Sequence, residues 1–457
     1  MENSRKYNLT EGSIISKILL ISLPVMATQF VQMAYNLTDM FWLGRLSSDA
    51  VAASGSAGMY MWLAMGPMMI ARMGAQIGVS QSTGMGNTEA AHRFSKNALF
   101  IAILVGVIFG GAMVVFNGPL IGFFNIQESH VARDASGYLA IIGLGVPLTY
   151  MSAAVAGIFN GAGNSRLPFV INTIGLVANM ILDPVMIFTF DWGIIGAAIA
   201  TITGQAIVCV LSLLALKFAR SRPFDKFKLL VKPSREPVRK IIKWGIPLCV
   251  ESMLFCFLSM IISRFVSEWG ADVIAAHKVG NQIDSMSWLI SGGFAMALTT
   301  YTGQNFGAGK WSRIHRGFKV SALIMIGWGI VVTAVCYFGA RPLATIFLDD
   351  PDVIAVCTRL LRIFALSSIA YCLEVIAAGA FRGVGKTLPP SLAATTVNAI
   401  RIPAIYLMSQ SALGLDGIWI GVTLFSVIRS LAILIWYLLY ARKQPKEDVA
   451  VAEGISA

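Results

Sequence analysis

The stretch ISKILLISLPVMATQFVQMAYNLTDMFWL, residues 15–43, is long and apolar enough to cross a lipid bilayer as one helix. Near its end it carries Tyr35, Asn36 and Asp39, which share one face of a helix because residues three and four apart lie side by side. A carboxylate inside a membrane span costs about 2.5–3.5 kcal/mol or more, so a functional role is the first hypothesis for Asp39. The alternative is a frayed helix end at which Asp39 touches water.

The composition of the whole chain agrees with a membrane protein. Of its 457 residues, 56% are hydrophobic and 13% are charged, and the mean hydropathy is +0.72. Long apolar runs without the alternation of an outer-membrane barrel predict helical spans. The six cysteines occur in or beside these runs without a CxxC motif, and we interpret them as packing residues: Cys209, Cys249, Cys256, Cys336, Cys357 and Cys372.

Twelve runs are predicted to cross the membrane, and a short run at 118–126 is predicted to lie along the outer surface. The predicted spans are 16–43, 51–81, 94–117, 134–159, 166–190, 194–217, 239–267, 273–304, 317–338, 353–381, 389–410 and 414–441. In membrane proteins, cytoplasmic loops are enriched in Lys and Arg. We therefore predict that both termini are cytoplasmic, because in this orientation the outer loops contain only three basic residues, Arg45, Arg133 and Arg341. The net charge of +12 is therefore interpreted as a topology signal and not as a nucleic-acid-binding surface.

The two halves of the chain repeat each other at a nearly constant offset. With an offset of 223 residues, Pro24 aligns with Pro247 and Asp49 aligns with Asp272. Six spans per unit is an even number, so both halves enter the membrane in the same direction. The sequence predicts an all-α polytopic membrane protein with twelve transmembrane helices in two pseudo-symmetric six-helix lobes. Their bounds are 1–217 and 239–441, with a basic cytoplasmic linker at 218–238 and a cytoplasmic tail at 442–457.

The first lobe has two membrane carboxylates that the repeat does not share. Asp39 aligns with Ile262 and Asp183 with Ile402, so a structural need for acid does not explain them. At about 1.5 Å per residue, both lie on the order of 10 Å beneath the outer surface. We predict that they converge on one polar pocket with residues at or within one turn of that depth, although independent polar residues are the alternative. These further residues are Tyr138, Asn179, Ala197 and Thr201.

Three acids of the second lobe, Glu251, Asp284 and Glu374, are predicted to form buried ion pairs. Candidate partners are Arg72, Arg264, Lys278, Arg401 and Arg429. The sequence does not favour an enzyme, because it has no nucleophile–base constellation and no metal cluster. The stretch 380–387 nearly matches a P-loop, but it lacks the first glycine and follows a membrane span.

Over nearly its whole length the sequence resembles multidrug and toxic compound extrusion (MATE) transporters. The resemblance rests on the six-plus-six spans, the Gly-Gln-Asn-Phe-Gly-Ala-Gly turn at 303–309 and the Gly-x-Phe-x-Gly-x-Gly turns after spans 4 and 10. The acids of spans 1 and 5 resemble the DinF-like branch, whose N-lobe site falls on Tyr35, Asn36, Asp39, Tyr138, Asn179, Asp183, Ala197 and Thr201. The chain departs from the NorM and eukaryotic branches, because their C-lobe acids fall at Phe255 and Tyr371.

The resemblance implies a secondary active antiporter that exports organic, often cationic, amphiphilic compounds by alternating access. The coupling ion would be H⁺ or Na⁺, with no other cofactor. A candidate Na⁺ site comprises Asp39, Asn179, Asp183 and Thr201, and no other metal is expected. The predicted helix hinges are Pro24 and Pro184.

The expected partners are small-molecule substrates and the lipid bilayer, with the chain acting as a monomer in a bacterial cytoplasmic (inner) membrane. The alternative function is a flippase for lipid-linked precursors in the wider superfamily, which would need a cationic cleft for a pyrophosphate. The acids of the first lobe disfavour this alternative, whereas Arg72 and Arg401 keep it open.

The charge asymmetry predicts which segments face the cytoplasm. In a cysteine-free background, single cysteines at Ser221 and Ser234 should be protected from an impermeant thiol reagent applied to intact cells, while a cysteine at Asp350 should react. Permeabilised cells provide the control, since all three sites should then react. External labelling of Ser221 or Ser234 would contradict the predicted orientation.

Overall fold

A computed structural model of the chain describes residues 7–126, 128–219, 222–224 and 233–449. Within these ranges all regular secondary structure is helical, as the sequence predicts. Helices dominate because an α-helix satisfies its backbone hydrogen bonds within one apolar segment. Parts of the linker at 218–238 and of the tail at 442–457 lie outside the described residues.

The helices follow the predicted repeat. The first half contains α1 Ile14–Leu46, α2 Ser48–Gly84, α3 Thr88–Val115, α4 Asn117–Gly122, α5 Ser129–Gly161, α6 Arg166–Pro184, a π-helix Val185–Thr189, and α7 Gly193–Phe218. The second half contains α8 Arg235–Ser267, α9 Ala271–Gly307, α10 Trp311–Phe338, α11 Ala340–Thr345, α12 Pro351–Ala365, α13 Ser368–Gly383, α14 Leu388–Ser409 and α15 Gly414–Arg442. Each predicted span corresponds to one long helix, to α6 with the π-helix that follows it, or to the pair α12 and α13.

In the described part of the chain, eight helices are long and apolar enough to span a membrane, or nine if the bent pair α12–α13 counts as one span. The helices α2, α9 and α14 have sufficient length but are more polar. The predicted span 353–381 consists of two helices, because the chain breaks after Ala365 and resumes at Ser368 with a bend of 48°. The start of α13 packs tightly on α10, where a Cβ added to Gly329 would lie 2.9 Å from the Cα of Ile369. No proline marks this break.

The described residues form two compact units. One comprises residues up to Leu9 together with Leu20–Cys249, and the other comprises Thr10–Leu19 together with the residues from Val250 onward. The core of the first unit includes Tyr150 and Phe159, and that of the second includes Trp419 and Leu360. The domain bounds that the sequence predicts, with lobes at 1–217 and 239–441, are not tested by this division and stay a prediction.

The turn between α9 and α10 holds segments from both ends of the described chain. Lys310 Nζ donates to the carbonyl oxygen of Thr10 at 3.0 Å, and the Arg313 guanidinium donates to that of Gly12. Val449 N donates to Gly309 O at 2.9 Å. These bonds give a physical reason why the residues around Thr10 group with the second unit.

One pair of glycines sets a close helix crossing in each unit. A Cβ on Gly157 of α5 would collide with the carbonyl oxygen of Arg72 on α2, and one on Gly161 would lie 2.7 Å from Gln76 O. In the second unit, a Cβ on Gly379 or Gly383 of α13 would lie 2.7 Å from a carbonyl oxygen of α9. Small residues four apart let two backbones approach within a membrane.

The contribution of these glycines to stability can be tested by comparison with a glycine whose Cα faces open space. Gly157→Ala should destabilise the protein by about 1–3 kcal/mol, because the new methyl group meets a backbone oxygen that cannot rotate away. Gly111→Ala in α3 is the control, since a Cβ there has no neighbour within 4 Å. Thermal unfolding followed by size-exclusion chromatography compares the two, and equal melting temperatures would refute the packing argument.

Candidate functional site

Helix α1 places Tyr35 and Asp39 toward the interior of the first unit. The hydroxyl groups of Tyr35 and Thr201 lie 3.5 Å apart, which links α1 to α7. Asp39 is half-buried, and its Oδ1 is buried without a hydrogen-bond partner in the described residues. Asn36 is exposed, and its Oδ1 accepts from Gln32 Nε2 at 3.3 Å. The structure therefore does not join Asn36 to the other predicted site residues.

Helix α6 supplies a buried amide–carboxyl pair one turn before its end. Asn179 Nδ2 donates to Asp183 Oδ1 at 3.1 Å, and Asp183 has no exposed surface. Asp183 Oδ2 and Asn179 Oδ1 are buried and accept no hydrogen bond from described residues. Since a buried polar atom without a partner costs about 1–3 kcal/mol, these oxygens favour a bound proton, cation or water.

The backbone changes geometry directly after Asp183. Pro184 has no N–H, and the chain continues as the π-helix Val185–Thr189, closed by a bond from Phe190 N to Val185 O at 3.0 Å. A Cβ on Gly196 of α7 would lie 2.5 Å from the carbonyl oxygen of Met186, so α7 packs directly on this π-helix. The carboxyl group of Asp183 is thus next to an irregular stretch of helix.

Helices α5 and α7 complete the pocket. Tyr138 of α5 is buried, and its hydroxyl lies within hydrogen-bonding reach of Thr201. Ala197 is fully buried one turn before Thr201 and contributes only a methyl group. Asp39 and Asp183 are close enough for their carboxyl groups to interact electrostatically. Four helices thus bring two carboxyl groups, an amide, an alcohol and two phenols together in the first unit.

The crossing of α6 and α7 fixes the position of Asn179. A Cβ on Gly204 would lie 2.9 Å from Asn179 Cβ, and one on Gly175 would lie 3.0 Å from Gly204 O. Sequence reasoning missed both glycines as positioning residues. The signal that could have found them is the small side chain of each within an otherwise bulky apolar span.

The acids of the second unit have individual surroundings. Glu374 accepts from Arg429 Nε at 2.9 Å and from Ser430 Oγ at 2.6 Å. Glu251 accepts from Ser391 Oγ at 2.6 Å and lies 4.0 Å from Arg382, a partner that sequence reasoning missed.

The other charged residues singled out in the second unit form no such pair. Asp284 bonds the indole of Trp288. Arg401 is buried, and its Nε has no hydrogen-bond partner in the described residues. The predicted ion pairing therefore describes Glu374 and Glu251 but not Asp284.

The stretch that nearly matches a P-loop is a helix end. Lys386 N donates to Phe381 O at 2.9 Å and Gly385 N donates to Arg382 O at 2.9 Å, while Gly385 has φ of 77°. These bonds close a C-terminal cap of α13, and the backbone N–H groups that would bind a phosphate are already used. In the described residues no group of three or more His, Cys, Asp or Glu side chains could hold a metal ion.

The helical fold and its long apolar helices define a polytopic membrane protein. The chain belongs to the MatE family, which it matches over residues 24–185 and 247–407, once in each half. It is a multi-pass membrane transporter and not an enzyme, and transporters of this family need no cofactor. The apolar helices and the bacterial relatives support a bacterial inner-membrane protein.

The relatives cover almost the whole chain. It is 28% identical over 452 residues to the probable multidrug resistance protein NorM of Thermotoga maritima, covering 97% of this chain and 96% of the relative. It is 23% identical to the multidrug export protein MepA of Staphylococcus aureus, covering 97% and 98%. A solved structure described as MATE in the bent conformation has a TM-score of 0.90 at 19% identity and covers 97% and 98%, which shows the shared fold.

The role of Gly204 in positioning Asn179 is testable. Gly204→Ala should lower the initial transport rate per folded molecule, because the new methyl group displaces the Asn179–Asp183 pair. Gly111→Ala in α3 is the control, since a Cβ there has no neighbour within 4 Å. Rates in proteoliposomes are normalised to folded protein, and equal rates for the two variants would exclude the positioning role.

Proposed function

We propose that the protein exports organic, often cationic, amphiphilic compounds and couples this export to inward flow of H⁺ or Na⁺. Support comes from the MatE family match and from relatives named for multidrug resistance and export. The observation that carries the coupling proposal is the pair of half-buried Asp39 and fully buried Asp183. Each has one buried oxygen atom without a hydrogen-bond partner in the described residues. The second unit has Ile262 and Ile402 at the matching positions, so the pair belongs to one unit only.

The coupling ion changes the charge of this pair. A proton is held at Asp183 Oδ2 or Asp39 Oδ1, which are buried carboxyl oxygens without a hydrogen-bond partner in the described residues. A Na⁺ ion would instead be held by oxygens of Asp39, Asn179, Asp183 and Thr201. Either ion relieves the electrostatic repulsion between the two carboxylates. It also offsets part of the free energy that is lost when a carboxylate is buried away from water.

The change in charge acts on two helices that carry weak points. Pro24 lies in α1, and Thr28 Oγ1 bonds its carbonyl oxygen at 2.9 Å. Pro184 directly follows Asp183 and precedes the π-helix. Since a proline removes one backbone hydrogen bond, each helix bends at low cost when the pocket between them changes charge. This bending links ion binding to substrate release, and ionised carboxylates then attract the next cationic substrate.

The membrane arrangement is part of the same proposal. Both termini face the cytoplasm, because the basic residues concentrate on that side of the predicted spans. Each chain works as a monomer, since one chain contains both six-helix lobes. The inward ion flow enters through the outer half of the first lobe, where the predicted depth of Asp39 and Asp183 lies.

The coupling proposal predicts the behaviour of two neutral isosteres. Asp39→Asn and Asp183→Asn should express and fold normally and should lose gradient-driven efflux by about tenfold or more, because an interaction with a charged group is worth about 1.5–3 kcal/mol. Dye efflux is measured in inverted vesicles under a pH gradient and, separately, a Na⁺ gradient.

The matched control is Asp191→Asn, which neutralises an exposed acid eight residues after Asp183. Asp191 has φ of 56°, a conformation that asparagine adopts readily, so this variant should keep full efflux. Loss of only one gradient response identifies the coupling ion. Full efflux by Asp39→Asn or Asp183→Asn under both gradients would exclude that residue as the coupling site.

A further inference from the structure

Helices α14 and α15 bring two guanidinium groups together inside the second unit. Arg429 of α15 donates through Nε to Glu374 at 2.9 Å and through Nη1 to Asn398 Oδ1 of α14 at 3.2 Å. Arg401 lies three residues after Asn398, on the same face of α14, and interacts electrostatically with Arg429. We call Glu374, Asn398, Arg401 and Arg429 the arginine cluster.

The arginine cluster contains two cations and one acid. The acid, Glu374, forms its ion pair with Arg429. None of the described carboxylates forms an ion pair with Arg401, and its Nε has no hydrogen-bond partner in the part of the chain that the structure describes. The charged group that acts on Arg401 is another cation, Arg429. The cluster therefore carries one positive charge in excess.

A second acid acts on this cluster without supplying the missing charge. Glu251 interacts electrostatically with Arg429. Its carboxylate lies 4.0 Å from Arg382, however, and accepts a hydrogen bond from Ser391 Oγ at 2.6 Å. The negative charge of Glu251 thus has its own cation nearby, and Arg401 gains no ion pair from it.

Burial makes the excess charge costly. Arg401 is only 4% exposed, as is Asn398 beside it, and the Nε atom of Arg401 is buried. Arg401 also lies well inside the predicted span 389–410, where an unpaired charge is expensive. A bound anion with a single negative charge would neutralise it.

The first unit has no charge at the positions that match this cluster. In both halves the matching amide, Asn179 or Asn398, lies five residues before a proline. The three charged residues align with uncharged ones, namely Glu374 with Ser152, Arg401 with Leu182 and Arg429 with Val208. The corresponding helices thus pack in the first unit without these charges, so the fold does not account for Arg401.

We propose that Arg401 binds the carboxylate group of a small organic compound, such as an aromatic acid. A guanidinium group presents parallel N–H donors that match the two oxygens of a carboxylate, and a halide ion offers no such match. The single negative charge of a carboxylate equals the excess charge of the cluster. This site goes beyond the proposed export of cations, because it provides for anionic and zwitterionic compounds, and it does not depend on coupling at Asp39 and Asp183.

The test compares a carboxylate with its neutral amide. Thermal unfolding of the purified full-length protein is followed at increasing concentrations of sodium benzoate or of benzamide, with sodium chloride keeping the ionic strength constant. Benzoate should raise the melting temperature of the wild type, because a ligand that binds the folded state stabilises it, and the concentration dependence gives its apparent affinity. Benzamide should cause no such rise, since it cannot neutralise Arg401.

Two variants separate the charge of Arg401 from its shape. Arg401→Met should weaken benzoate binding about tenfold or more, because it removes both the charge and the hydrogen-bond donors. Arg401→Lys should have an intermediate affinity, since it keeps the charge but loses the planar pair of donors. Without benzoate, Arg401→Met should melt at or above the temperature of the wild type, because an unpaired buried charge has been replaced by an apolar side chain.

The matched control is Arg341→Met, which removes an exposed guanidinium group from the same unit and should leave the response to benzoate unchanged. Equal responses of the wild type and Arg401→Met would overturn the inference, as would a wild type that benzoate stabilises no more than chloride does. A clear loss of stability in Arg401→Met without benzoate would also overturn it, because Arg401 would then have a partner within the protein.

The failure of this inference can be told apart from that of the proposed function, since binding is measured without any ion gradient. If Asp39→Asn and Asp183→Asn lose efflux while Arg401→Met responds to benzoate like the wild type, the coupling proposal stands and the carboxylate site is excluded. If Arg401→Met alone loses the response while the two first-unit variants keep full efflux, the carboxylate site is supported and the coupling site is wrong.

Discussion

The free energy required to keep carboxyl groups away from water is the constraint on which the first unit depends. Asp183 is fully buried, and Asn179 is the side chain that donates a hydrogen bond to it. Asp39 lies near enough to add electrostatic repulsion whenever both groups are ionised. A single positive charge in the pocket would therefore relieve this repulsion. A less buried pair would be screened by water and would respond weakly.

The acids of the two units differ in their partners. In the second unit, Glu374 is neutralised by Arg429 and stabilised further by Ser430, so it is bound within the protein. Asp39 and Asp183 have no basic partner of that kind in the described residues. The charge of Glu374 is thus neutralised within the protein, whereas Asp39 Oδ1 and Asp183 Oδ2 have no hydrogen-bond partner in the described residues. This difference between the units is the basis of the coupling proposal.

Close helix crossings hold these groups in place. Glycine at 157 and 161 lets α5 touch the backbone of α2, and Gly204 lets α7 touch α6 beside Asn179. Interfaces of this kind leave little freedom for sideways movement, because the atoms are already in contact. Regular helical geometry is interrupted elsewhere, at Pro24, at Pro184 with its π-helix, and at the bend between α12 and α13.

Local properties of the sequence determine the helices and the repeat. Runs such as 15–43 are apolar over a bilayer's thickness, and only a helix satisfies the backbone there, so the elements follow from composition and length. The constant offset between Pro24 and Pro247 predicts the two halves without any structural information. The depth of Asp39 and Asp183 in the membrane, counted along a helix of known rise, stays a prediction.

Only the tertiary structure decided which side chains meet. Helix periodicity grouped Asn36 with Asp39, but the rotation of α1 leaves Asn36 exposed beside Gln32. Charge alone suggested Arg401 as a partner for an acid, whereas the packing of α13 and α14 gives Glu251 to Arg382 and Ser391. No proline marks the break between α12 and α13, and the close packing of Gly329 in α10 on Ile369 in α13 is a tertiary contact that the sequence does not reveal. These features depend on the rotation and crossing of helices far apart in the chain, which a local pattern does not encode.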